Sequence, residues 1–225
     1  VSYIIVSGYS SGGLHDTEGK RSLWSPDLFL AKWTKNTYLH AHPLNTYVIS
    51  SDSPPPENGL LIVRVADLGH VQNMPSEQRL SGWSAALLTG CLLAYQSNAD
   101  LIFKEQDCLA FGPWVDRLYN EIGTAPFITG KTNSGGQANG LLAQSLMLVQ
   151  NSALLPFVST YLSITTSDRD LWPEHKVKLI GAKLGIAHTS MGYDRSRPIN
   201  YADKAFYAQQ WSDAELNELD NRKMV

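Results

Sequence analysis

Four side chains have the types and positions to do chemistry together: Glu105, Asp107, Glu174 and His188. Glu105 and Asp107 stand one residue apart just after the run Leu101-Ile102-Phe103-Lys104. A strand ending there delivers two carboxylates to one turn. Carboxylate oxygens suit hard divalent ions such as Mg²⁺ or Mn²⁺, and an ion so held also neutralises a diphosphate. The same spacing also describes two solvent-facing acids at a strand end, so the surroundings must decide between the two.

Glu174 opens a helix at Trp172-Pro173-Glu174-His175. Its carboxylate can act as a general base toward a hydroxyl, or simply complement the positive end of the helix. His188 follows Ile186-Ala187, and its imidazole can join oxygen ligands around a borderline ion such as Mn²⁺. Arg195 and Arg197, in Gly192-Tyr193-Asp194-Arg195-Ser196-Arg197-Pro198, can grip a phosphate or an acceptor with two parallel hydrogen bonds each. A plain surface pair is the alternative for these arginines. Among the aromatics, Tyr9 is placed to approach a nucleobase, and Trp83 or Trp172 can form an apolar platform.

These residues need a scaffold, and the sequence alternates strand-like with helix-like segments. Tyr3–Val6 is a short apolar strand opening into the glycine-rich loop Ser7–Gly13. Ser25-Pro26-Asp27 starts a helix carrying Phe29 and Trp33. Thr46–Ile49 and Leu60–Val65 are the next strands, with Asp52 just beyond the first of them. Ser81–Gln96 is helical, with Trp83, Leu87, Cys91 and Tyr95 on one face, and Ala99–Phe103 is the strand before the acidic turn. Helices over Pro113–Ile122, Leu154–Leu162 and Pro173–Leu184 and a strand over Ser145–Val149 complete the pattern. Alternation of this kind predicts an α/β fold with a mostly parallel or mixed sheet covered by helices, and a ligand crevice at the carboxyl ends of its strands.

Composition bounds the partners. The chain has 225 residues, 43% of them hydrophobic, with 18 basic and 21 acidic side chains and a formal net charge of −3. No basic stripe is present to follow a nucleic-acid backbone. The apolar stretches fall short of the roughly 20 residues a membrane-spanning helix needs. The start, Val1-Ser2-Tyr3-Ile4-Ile5-Val6, reads as a core strand rather than a signal peptide, and a cytoplasmic location is expected. Cys91 and Cys108 suit two buried, reduced thiols. Gly130-Lys131-Thr132 is not a phosphate-binding P-loop, because Ala125 stands where that loop requires glycine.

Taken in order, these segments resemble the nucleotide-sugar-dependent glycosyltransferases of the Rossmann-like GT-A type. Tyr3-Ile4-Ile5-Val6-Ser7-Gly8-Tyr9 resembles their first strand and nucleotide-facing loop, and Thr46–Ser53 their second strand with its acidic turn at Asp52. Glu105-Gln106-Asp107 resembles their metal-binding acidic triplet, with Glu in place of the usual first Asp. Pro173-Glu174 and the helix after it resemble the segment bearing the catalytic acid in inverting members, where a Glu-Asp pair is more common. Ile186-Ala187-His188 resembles the following strand and its ligand histidine.

The resemblance implies a metal-dependent transferase domain over residues 1–199, with residues 200–225 a helical extension packed on it. It implies Mn²⁺ or Mg²⁺ on Glu105, Asp107 and His188, and a nucleoside-diphosphate sugar, UDP first, against Ser7, Gly8, Tyr9, Asp52, Arg195 and Arg197. Glu174 would then be the base toward a hydroxyl of a glycan, glycoprotein or small molecule. A nucleotidyltransferase and a non-catalytic sugar-nucleotide or carbohydrate-binding module are the alternatives.

Overall fold

The computed structural model describes residues 1–9, 26–50, 61–65, 68, 74–130, 143–193, 198–209 and 211–224. Asp52, Arg195, Arg197 and the glycine-rich loop from Ser10 to Gly13 therefore lie outside the described residues.

Among the described residues, seven strands form one mixed sheet: β1 (Tyr3–Tyr9), β2 (Thr46–Ser50), β3 (Leu61–Arg64), β4 (Asp100–Lys104), β6 (Phe127–Gly130), β7 (Ala143–Val149) and β8 (Ala187–Thr189). Their order across the sheet is β3-β2-β1-β4-β7-β6-β8. β1, β2, β3 and β4 run parallel, β7 is antiparallel to both β4 and β6, and β8 is parallel to β6. A separate two-stranded sheet pairs β5 (Leu109–Phe111) with β9 (Phe206–Ala208).

Helices cover both faces. On one, α1 (Pro26–His40) and α3 (Trp114–Ile122) share a core with Ile5, Val48, Ile102 and Leu148. Trp211 and Leu219, the latter in α6 (Asp213–Asn221), are buried in that same core. On the other face α2 (Gly82–Gln96), α4 (Leu154–Ser163) and α5 (Pro173–Leu184) bury Val6, Phe103, Met147 and Val149. Strands buried on both faces read as continuous apolar runs, as Ile4-Ile5-Val6 and Leu101-Ile102-Phe103 do.

Three expectations need correction. β1 continues to Tyr9, so Ser7, Gly8 and Tyr9 belong to a central strand rather than a loop. At Gly8 a Cβ would stand 3.2 Å from that of Ala86, so this glycine lets α2 lie close on β1. In α2 the buried stripe is Ser84, Leu87, Leu88, Cys91 and Ala94, while Tyr95 and Leu92 face solvent. The tail after Asn200 contains β9 as well as a helix. β9 reaches its partner past Gly192, whose φ of 113° and lack of a Cβ make room for the Tyr207 ring.

The far edge of the main sheet is tied down by one carboxylate. Glu121 in α3 accepts hydrogen bonds from the Thr189 hydroxyl, the Ser190 N–H (2.8 Å) and the Ser190 hydroxyl (2.6 Å), and pairs with Arg117 at 2.5 Å. Partial burial alone would raise its pKa, but these hydrogen bonds outweigh burial and bring it to about 2. A carboxyl group whose folded pKa is depressed contributes stability above its unfolded pKa and loses it as pH falls. Glu121→Gln should therefore be less stable than wild type at neutral pH, and the gap should close between about pH 4.5 and pH 2. Denaturant melts of both proteins across that window would show a constant gap if the carboxylate were not the cause.

Candidate functional site

Helices α2 and α5 each lead directly into a strand of the same direction, β4 and β8, and both pack on the same sheet face. Each must therefore start at the carboxyl end of the strands, where Lys104 hands over to Glu105. The ends of β1 and β4 neighbour one another there, where the strand order reverses, and that is where folds of this topology bind ligands.

The turn from Glu105 to Cys108 is short and closed by a Cys108 N–H to Glu105 carbonyl bond of 3.0 Å. Three residues of α1 hold it from one face. The Trp33 indole donates to the Glu105 carbonyl at 3.0 Å, and Asn36 Oδ1 accepts from the Ala110 N–H at 3.0 Å and from Lys104 Nζ at 2.9 Å. Lys104 Nζ also donates to Thr37 at 2.7 Å and lies 4.7 Å from the Trp33 ring centre. Lys104 is fully buried, and loss of hydration pulls its pKa down to about 7. From the other face, the Trp83 indole in the first turn of α2 donates to Glu105 Oε1 at 2.7 Å.

A second cluster locks the starts of α2 and α5 together. Ser81 caps α2, accepting from the Ser84 N–H, and gives its own N–H (2.6 Å) and hydroxyl (2.9 Å) to Asp168 Oδ2. Asp168 Oδ1 pairs with Lys176 of α5 at 2.7 Å, both side chains being fully buried. Tyr161 shares a hydrogen bond with Ser84 and donates weakly to Asp168 Oδ1 at 3.4 Å. Burial first, then the negative charges of Asp168 and Glu174, hold the Tyr161 hydroxyl protonated. Glu174 is therefore part of this corner, half-buried in the first turn of α5.

His188 sits elsewhere. It is exposed on β8, its Nδ1 3.3 Å from the Thr129 hydroxyl. The register runs Phe103↔Met147, Met147↔Thr129, Thr129↔His188, three strand spacings, or about 14 Å, from β4. Among the described residues no three His, Cys, Asp or Glu side chains are placed to hold a metal together. The structure thus brings Glu105 and Asp107 into one turn and leaves His188 out of it. Two carboxylates fit an ion that takes its remaining oxygens from water or from a bound diphosphate.

Of the nucleotide-side residues, Ser7 and Tyr9 are buried in β1, Tyr9 against the α1 face of the core. Trp33, Asn36, Lys104, Asp168 and Lys176 are supports that motif spacing missed. One signal was available: Pro173, Lys176, Val177 and Ile180 follow helical spacing, which places Lys176 on the buried stripe.

No protein-family model and no curated protein sequence matches the chain. Solved structures do. The glycosyltransferase GlyE of Streptococcus pneumoniae TIGR4 superposes with a TM-score of 0.57 at 9% identity over 95% of this chain, which spans 56% of the length of GlyE. The inositol-1-phosphate CTP transferase of T. maritima superposes with a TM-score of 0.53 at 12% identity, over 100% of this chain and 95% of that one. At such identities the likeness is one of fold: a mixed α/β architecture of GT-A-like topology, with a central sheet flanked by helices. No helix among the described residues is long and apolar enough to cross a membrane.

Removing one member of a buried ion pair strands the other charge. Lys176→Met should cost on the order of 3–5 kcal/mol in urea melts, and adding Asp168→Asn should return most of it. Equal losses in the single and double variants would show that the pair does not act as a unit.

Proposed function

We propose that the protein transfers a sugar from a nucleoside-diphosphate sugar, UDP-linked in the first instance, to an acceptor hydroxyl with inversion. The observation that carries this reading is the acidic turn Glu105–Asp107, rigidly held at the carboxyl end of β4 in a GT-A-like sheet, with Glu174 at the start of a neighbouring helix.

In this reading the donor lies across the ends of β1 and β4, with its diphosphate toward Asp107 and Glu105. Glu105 and Asp107 would hold a divalent ion, Mn²⁺ or Mg²⁺, which would supply neutralisation of the charge on the departing nucleoside diphosphate. Glu174 takes the proton of the acceptor hydroxyl as its oxygen bonds to the anomeric carbon, while the bond from that carbon to the diphosphate oxygen breaks. Asp52, Arg195 and Arg197 are assigned to the nucleotide side on resemblance alone. Residues 1–199 carry this chemistry, and residues 200–225 supply β9 and α6.

A second reading, nucleotidyl transfer, is favoured by one observation: the chain spans nearly the whole length of the CTP transferase it resembles, but little more than half of GlyE. The products separate them, since sugar transfer releases a nucleoside diphosphate and nucleotidyl transfer releases pyrophosphate. Mass spectrometry of reactions with UDP- and GDP-sugars, each with Mn²⁺ and an acceptor panel, should find the nucleoside diphosphate. Pyrophosphate from a nucleoside triphosphate and a sugar phosphate would establish the rival.

Asp107→Asn should lower transfer at least about a hundredfold with little change in melting temperature, because it removes a charge and preserves shape. Glu174→Gln should lower kcat by about 10²–10⁴ while donor affinity holds, as expected of a lost general base. Unchanged turnover in either folded variant refutes the role assigned to that residue.

A further inference from the structure

Glu105 is gripped from both faces of the sheet. Its backbone carbonyl accepts from the Trp33 indole at 3.0 Å, and its carboxylate Oε1 accepts from the Trp83 indole at 2.7 Å. An indole N–H can only donate, and toward an ionised carboxylate it makes a short, charge-assisted bond.

Neither indole is free to follow a moving partner. Trp33 is fully buried. The Trp83 ring packs edge-on against Phe103, with centroids 5.2 Å apart and planes at 72°. Its helix is anchored at the cap two residues earlier, where Ser81 gives two hydrogen bonds to Asp168. With the backbone of residue 105 and the indole both fixed, the span between them suits the two methylenes of glutamate. An aspartate there, one methylene shorter, would leave the carboxylate beyond hydrogen-bonding reach of the indole.

We propose that Trp83 is a positioning residue for Glu105, orienting its carboxylate before any ligand arrives, and that glutamate is required at position 105 because only its length meets the indole. This rests on the donor-site reading given above. Trp83 touches neither donor nor acceptor in this scheme. It sets the direction in which Glu105 meets the diphosphate-bound cation, and its loss acts through Glu105 alone.

The test measures Mn²⁺ binding directly, from the electron paramagnetic resonance signal of free Mn²⁺ in the presence of UDP and, in parallel, GDP. Wild type, Trp83→Phe, Glu105→Asp, the double variant and Asp107→Asn are compared, each with a thermal melt. Phenylalanine keeps the ring packing and removes only the donor. Trp83→Phe and Glu105→Asp should each weaken Mn²⁺ binding about tenfold, and the double variant should be no weaker than the worse single. Should Trp83→Phe loosen the fold, Glu105→Asp probes the same bond from its other end.

Wild-type binding in Trp83→Phe or Glu105→Asp, or additive losses in the double variant, would overturn the positioning role, while Asp107→Asn losing the ion would leave the donor site standing. Wild-type Mn²⁺ binding in Asp107→Asn, or no binding by the wild type beside either nucleotide, would overturn the donor-site reading and this inference with it.

Discussion

A fully buried lysine at the end of a strand has to be solvated by something, and here α1 does it. Lys104 Nζ gives hydrogen bonds to Asn36 and Thr37 and sits over the Trp33 ring. Asn36 in turn holds the Ala110 N–H, and Trp33 holds the Glu105 carbonyl. One helix thus grips the chain before, within and after the acidic turn. Burial lowers the proton affinity of Lys104, bringing its pKa down to about 7, and the polar groups of α1 offset part of that cost.

That grip explains why the second sheet matters. β5 begins where the turn ends, and β9 pairs with it in the register Leu109↔Ala208, carrying Trp211 and Leu219 into the α1 face of the core. A three-residue strand has too few ladder bonds to stay put alone. Its C-terminal partner, backed by the stacked pair Phe111–Phe206, keeps the exit of the acidic turn from drifting.

The opposite face is organised around Asp168. Because it bonds the cap of α2 and the ion pair of α5 at once, the two helix starts that carry Trp83 and Glu174 cannot shift independently. A buried pair of this kind is weak support for stability but a strict constraint on geometry, since any rearrangement leaves a charge unpartnered. The fold therefore fixes the start of α2, whose Trp83 indole bonds Glu105, against the start of α5, which bears Glu174. The same framework serves sugar transfer and nucleotidyl transfer alike, which is why reaction products rather than topology separate the two readings.

Much of this was written locally. Long apolar runs marked β1, β2 and β4, proline and serine marked the starts of α1, α2 and α5, and the acids after Phe103 marked the turn, because strand ends and caps depend on neighbours in sequence. The short strands β5, β6 and β9 escaped, since each pairs with a segment distant in sequence and its three or four residues carry no period of their own. The place of His188 was hidden for a related reason: position after a strand says nothing of how many strands away that strand lies, and sheet order puts β7 and β6 between β8 and β4. Chain proximity likewise hid the supports of the site, for Trp33 is 72 residues from Glu105, and Ser81 is 87 from Asp168. Residue types and local order were determined by the sequence alone. Which of the acids are held in place, and by what, was decided only when the two helical layers closed on the sheet, because desolvation made each buried polar group take a partner from a distant segment.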